Sequence, residues 1–196
     1  MKKFLIVFAV SFGVAFSSIA QTNDAKITER FKEYFSYTEK MDIDGSFDYL
    51  YPQFFDIFPR ELMLKEIEKT FNDPEIKLGF ANSEIKSISK EMVLDDVKYV
   101  LLDYKFDMMM QLNFEDEDDA EDDGTMIEFM SAIFSEMYGE ENVSYTRETE
   151  TFKITANKEM FAINNPEYGD WFFLEKDEKL KEQLLKMIPK KVYKKL

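Results

Sequence analysis

The sequence predicts an α+β domain: a curved antiparallel sheet with N-terminal helices on its concave face, an inserted helix and a C-terminal helix. Three observations predict it. The first is the stretch Val97–Leu112. Val100, Leu102, Tyr104, Phe106, Met108, Met110 and Leu112 share one parity there, while Tyr99, Asp103, Lys105, Asp107, Met109 and Gln111, with Leu101 among them, share the other. Side chains alternate along a strand, so this is a strand with one apolar and one mostly polar face. At about 3.3 Å per residue it spans roughly 50 Å, which calls for twist and a bulge. The second observation is a helical-period apolar stripe ahead of this strand, and the third is the return of alternating residues after it.

Lys2 and Lys3, the apolar run Phe4 to Phe16, and small Ser18 and Ala20 before Gln21 have the arrangement of a signal peptide. A membrane anchor would need ~20 apolar residues. Residues 1–20 are expected to be removed, leaving residues 21–196 as one exported domain, periplasmic or secreted, with no stable membrane insertion. No Cys follows the apolar run, which excludes lipid attachment there.

Asp24 is placed to cap a helix to about Met41, with Ile27, Phe31, Tyr34, Phe35 and Thr38 on one side. Asp42-Ile43-Asp44-Gly45 ends it. Ser46 is placed to cap a short helix that Pro52 stops. Gln53 to Phe58 reads as an aromatic linker. Pro59 suits the first turn of a third helix, with Leu62, Met63, Ile67, Thr70 and Phe71 as its buried side. Asn72-Asp73-Pro74 closes that helix. Two strands are expected next, Ile76 to Phe80 and Ser83 to Lys90. A turn at Leu94-Asp95-Asp96 leads back into the long strand.

Glu115 to Asp123 is nearly all acidic and reads as a solvated, mobile loop (acidic loop 115–123). Asp119, Glu121, Asp123 and Gly124 imitate half of a calcium loop, but Met130 stands where its closing Glu belongs. No metal or other cofactor is therefore expected. Thr125 and Glu128 have capping-box spacing for an inserted helix, 125–138. Its wide apolar face comprises Met126, Ile127, Phe129, Met130, Ile133, Phe134, Met137 and Tyr138, and Gly139 closes it. With Met108, Met109 and Met110, its methionines suit core packing or an adaptable binding surface. Val143 to Thr146 and Glu150 to Ile163 are extended, with Arg147-Glu148-Thr149 between them. Phe152, Ile154, Ala156, Met160 and Ala162 share a face. Trp171-Phe172-Phe173-Leu174 is apolar on both sides, as in a covered strand. Lys179 to Ile188 reads as a helix ended by Pro189, and Lys190, Lys191, Lys194 and Lys195 form a basic tail.

Composition removes whole classes of chemistry. With no His and no Cys, imidazole bases, thiol nucleophiles, thiolate zinc sites and iron–sulfur clusters are excluded. A net charge of −15 repels nucleic acid and anionic membranes. At 45% hydrophobic and 16% aromatic residues, the chain is not disordered.

Four local strings carry a resemblance: Asp48-Tyr49-Leu50-Tyr51-Pro52, Thr70-Phe71-Asn72-Asp73-Pro74-Glu75, Tyr138-Gly139-Glu140-Glu141-Asn142-Val143 and Trp171-Phe172-Phe173-Leu174-Glu175. With the order of elements, they resemble the nuclear transport factor 2-like fold, an α+β cone, and a group of small exported Bacteroidetes proteins. The resemblance spans about Ala25 to Leu196 and brings no catalytic residues with it. It implies a cone-shaped cavity between sheet and helices. Tyr34, Tyr49, Tyr51, Tyr104 and Trp171 are the candidates to line it. Asp103 and Asp107 have the parity opposite to Tyr104, so neither serves as a base there without a bulge.

The expected function is non-enzymatic: binding of a small apolar ligand or a partner protein. One alternative is an acid–base enzyme of the isomerase or dehydratase kind, using a pocket Asp and Tyr. Another is a dimerising structural module, a homodimer joined through the outer face of the sheet.

Overall fold

The computed structural model describes residues 15–113 and 120–196. The chain runs through the helices α1 (Ala15–Glu39), α2 (Ile43–Phe47), α3 (Phe54–Ile57) and α4 (Arg60–Phe71). Strands β1 (Ile76–Ile88), β2 (Met92–Leu94) and β3 (Val97–Leu112) follow, then α5 (Ala120–Tyr138). Strands β4 (Val143–Thr146), β5 (Thr151–Asn164) and β6 (Trp171–Glu175) precede α6 (Lys181–Met187) and α7 (Lys190–Lys195). Residues 1–14 of the expected leader and 114–119 of the expected loop lie outside the described residues.

The fold class is as expected: α+β, with a curved open antiparallel sheet. Its order is β1-β3-β5-β4, with β2 also paired to β3 and β6 to β5. Pairing of β3 with β5 runs unbroken from Lys98↔Asn164 to Gln111↔Thr151. The irregularities fall instead on β1, between Ala81 and Glu84 and between Ile85 and Ser87. One strand therefore spans the two expected there, kinked at Asn82, whose φ of 57° suits an Asn better than most residues. The β2–β3 hairpin turns through Asp95 and Asp96, both at positive φ, the type I′ geometry that matches strand twist. Asp96→Gly should raise stability by about 0.5–1 kcal/mol by relieving this conformation. The check is a higher urea midpoint at unchanged m.

The two faces of the sheet are covered by different helices. Val100, Leu102, Tyr104, Met160, Ala162 and Phe173 pack on Ile27, Phe31 and Phe35 of α1. Farther along the same face, Leu112, Phe152 and Ile154 meet Phe134 of α5. On the opposite face Tyr99, Leu101, Phe161, Ile163 and Leu174 pack under Leu184, Met187, Ile188, Val192 and Tyr193. The apolar Tyr99 and Leu101 on the mostly polar face of β3 are thus the floor for α6 and α7. The basic tail is helical, with Val192 and Tyr193 buried and its lysines around them.

Helix starts differ from the sequence reading. Asp24 lies inside α1, where its carbonyl accepts from the Thr28 hydroxyl at 2.7 Å. Asp42, not Ser46, caps α2 by accepting the Gly45 N–H at 3.0 Å. Thr125 lies inside α5, which begins at Ala120, so residues 120–123 are helix rather than loop. The helical backbone through Gly124 also departs from the turn that a calcium loop needs. In α4 no residue is fully buried, and Leu62 is 62% exposed. Apolar periodicity shows which side of a helix is apolar, but not how much surface lies beneath it; α4 rests mainly on α2 and β1.

Candidate functional site

A cavity of about 200 Å³ opens where β6 ends. It forms there because the β6 edge is only partly covered. The Tyr51 N–H donates to Phe173 C=O at 2.9 Å, and the Phe173 N–H donates to Tyr49 C=O at 2.8 Å. Residues 49–51 thereby extend the sheet and hang Leu50 over the gap. Past Glu175 the chain turns away, with Asp177 accepting the Lys179 N–H at 2.7 Å. Tyr34 of α1, Met63 of α4, Met160 of β5, Phe173 of β6 and Leu184 of α6 close the apolar walls. Glu175 and Asp177 supply carboxylates.

Lys158 holds Glu175. Its Nζ lies 2.9 Å from Glu175 Oε1, and in the sheet it sits directly across from Tyr104. Burial alone would push the Lys158 ammonium down, but the hydrogen bond and charge of Glu175 outweigh it and the pKa is raised. Burial, then the charge of Glu175, pushes the Tyr34 and Tyr104 hydroxyls above the ordinary tyrosine value. Near neutral pH both are therefore un-ionised, available to give a hydrogen bond rather than to act as phenolate bases.

The candidate residues do not converge. Tyr34 lines the cavity. Tyr104 is buried in the sheet beside it, edge-on to Phe31 at 5.7 Å. Tyr49 lies on the outer side of Tyr34, ring centroids 6.4 Å apart, with the Arg30 guanidinium 4.2 Å above its ring. Tyr51 is buried on the opposite face of the sheet, its hydroxyl accepting from Asn165 at 3.3 Å. The chain crosses the β6 edge between Tyr49 and Tyr51, which separates two residues that look paired in sequence. Trp171 shares the face of Phe173 but stands at the far end of β6, roughly 13 Å along the strand from Glu175, and is buried there.

Asp103 and Asp107 stay on the opposite face, as parity requires. Asp103 accepts from the Ser87 hydroxyl. Asp107, 7% exposed, accepts from Asn82 at 2.8 Å and Thr155 at 2.7 Å, with Lys153 Nζ at 3.0 Å. Burial pushes its carboxyl up, but these hydrogen bonds and the Lys153 charge hold it below the usual range. This arrangement pins the β1 kink to β3 and β5. Among the described residues no group of His, Cys, Asp and Glu could hold a metal ion, and no helix is long and apolar enough to cross a membrane. No family model, curated protein or solved structure matches the chain.

Glu175, Lys158 and Met63 are site residues that the sequence reading missed. Two of them left a signal. Trp171, Phe173 and Glu175 share a parity, so Glu175 follows Phe173 onto the concave face. The run Phe152, Ile154, Ala156, Met160, Ala162 skips position 158, which marks Lys158 as the charged group on that face.

Proposed function

We propose that this chain is an exported, non-enzymatic protein that binds a small apolar ligand in the cavity of Tyr34 and Glu175. The nuclear transport factor 2-like relationship is part of the same proposal, supported by the leading helices laid on a curved antiparallel sheet. The observation that carries the binding reading is the cavity itself. Its walls are mostly Leu, Met and Phe, with one phenolic hydroxyl and a carboxylate edge. That is the composition of a ligand site, at a size suited to a molecule smaller than most drugs. One observation favours the acid–base reading: a carboxylate does stand near two tyrosines. Against it, Glu175 is tied to Lys158, and the tyrosines are held un-ionised.

4-Propylphenol is a fitting probe, an apolar body with one hydroxyl. Isothermal titration should give a Kd of about 0.1 mM, as for ten heavy atoms at roughly half a kcal/mol each. Its carboxylate counterpart, 4-propylbenzoate, should bind about tenfold more weakly because Glu175 and Asp177 repel it. Met63→Trp, which fills the cavity from α4, should abolish the heat. Equal heat from both probes, or heat that survives Met63→Trp, counts against this site.

A further inference from the structure

We propose that the outward face of α5 docks a basic amphipathic helix of a partner protein. Among the described residues five large apolar side chains are exposed, and three lie on α5: Met126 at 48%, Phe129 at 60% and Met137 at 58%. Their spacing, with Ile133 between Phe129 and Met137, sets them along one stripe of the helix. A different stripe meets the sheet: Ile127, Met130, Phe134 and Tyr138 pack with Leu112, Phe152 and Ile154, and the half-buried Ile133 packs there too, at the border of the two stripes. The apolar arc of α5 is wider than the surface beneath it, and the surplus faces solvent. Scattered exposed apolar residues need no explanation, but a continuous stripe marks an interaction surface.

Charge names the occupant. From Gly124 onward helix α5 carries Glu128 and Glu136 and no Lys or Arg, and Glu140 and Glu141 follow it. Among the described residues, Glu128, Glu136, Glu140 and Glu141 take part in no ion pair. A second copy of the chain would set these carboxylates against their equals, at a cost in repulsion. A helix with Lys or Arg beside its apolar stripe meets both the carboxylates and the stripe. Phe129 is the rigid anchor. Met126 and Met137 on either side adapt to varied apolar side chains, so the site selects an amphipathic cation rather than one sequence.

The test uses the full chain and two labelled synthetic peptides of Leu and Lys. One is an amphipathic helix, and the other is a scramble with no apolar face. Fluorescence anisotropy should show the amphipathic peptide binding about tenfold or more tightly than the scramble. Phe129→Ser with Met137→Ser should weaken it about tenfold, while melting temperature and circular dichroism stay unchanged because both side chains are exposed. Glu128→Gln with Glu136→Gln should weaken it a few-fold and flatten its dependence on salt. Equal binding of the two peptides, or unchanged binding by the double Ser variant, reduces the effect to bulk charge attraction and overturns the proposal. Self-association in sedimentation that the double Ser variant abolishes assigns the stripe to a second copy, and also overturns it.

Discussion

Phe31→Ala lowers stability by about 3–5 kcal/mol, the range for an aromatic ring removed from a packed core. Phe31 is the residue through which α1 grips the sheet. Its ring lies 4.6 Å from Phe35, 5.7 Å from Tyr104 and 6.2 Å from Phe173, touching one helix neighbour and two strands. Removing it leaves those rings without a partner on one side, and little nearby can move in, because Ile27 and Leu102 are themselves fully buried. For a domain of this size the loss corresponds to roughly 6–20 °C in melting temperature. Leu62→Ala is the control, since that side chain is exposed and its loss should stay within about 0.5 kcal/mol. Urea unfolding of both variants decides the matter. A Phe31→Ala loss below about 1 kcal/mol is incompatible with α1 lying on this sheet.

Asp107→Ala costs about 1–3 kcal/mol, although it removes only a small polar side chain from the less covered face. It removes the acceptor of the half-buried Thr155 hydroxyl and of the Asn82 amide, which water reaches and partly re-satisfies, so each lost bond costs about 0.5–1.5 kcal/mol rather than the full penalty of a buried donor. Lys153 adds less than a fully buried cation would, because its side chain is half exposed and water takes over. The pH dependence has a definite sign. The Asp107 pKa is lowered in the fold, so its stabilisation is present above the unfolded value of about 3.9 and is lost as pH falls through the folded value. Asp107→Asn should therefore be less stable than the parent near neutrality. It should also lose less stability between about pH 6 and about pH 3. Urea midpoints at both pH values test this. Parallel losses in parent and variant would show that Asp107 is not the group that titrates.

Several elements could be read from sequence because the signal is local. Alternation in Val97–Leu112 needs no knowledge of its neighbours, and that strand has the predicted bounds. The same holds for Val143–Thr146 and for the even-numbered apolar face of β5. Helix starts were less legible. Asp24, Ser46 and Thr125 all carry capping chemistry, yet each lies inside a helix that starts earlier. A side chain able to cap does so only where the chain in front of it leaves the helix, and cap preference alone does not fix that point.

The candidate site was legible in part. Five aromatic residues were available to line a cavity, and only Tyr34 does so. The separation of Tyr49 from Tyr51 depends on where a connecting segment crosses the β6 edge, a long-range pairing that no local pattern encodes.

By itself the sequence determined the alternating faces of the sheet, the acidity of the surface and the absence of imidazole and thiol chemistry. Each of these is a property of single residues or of their immediate spacing. Only the tertiary structure decided that α6 and α7 cover the second face, that a cavity opens where β6 ends, and that α5 keeps an apolar stripe in water. Those outcomes depend on how much surface one element offers another, which is settled when distant strands pair and the sheet reaches its edges.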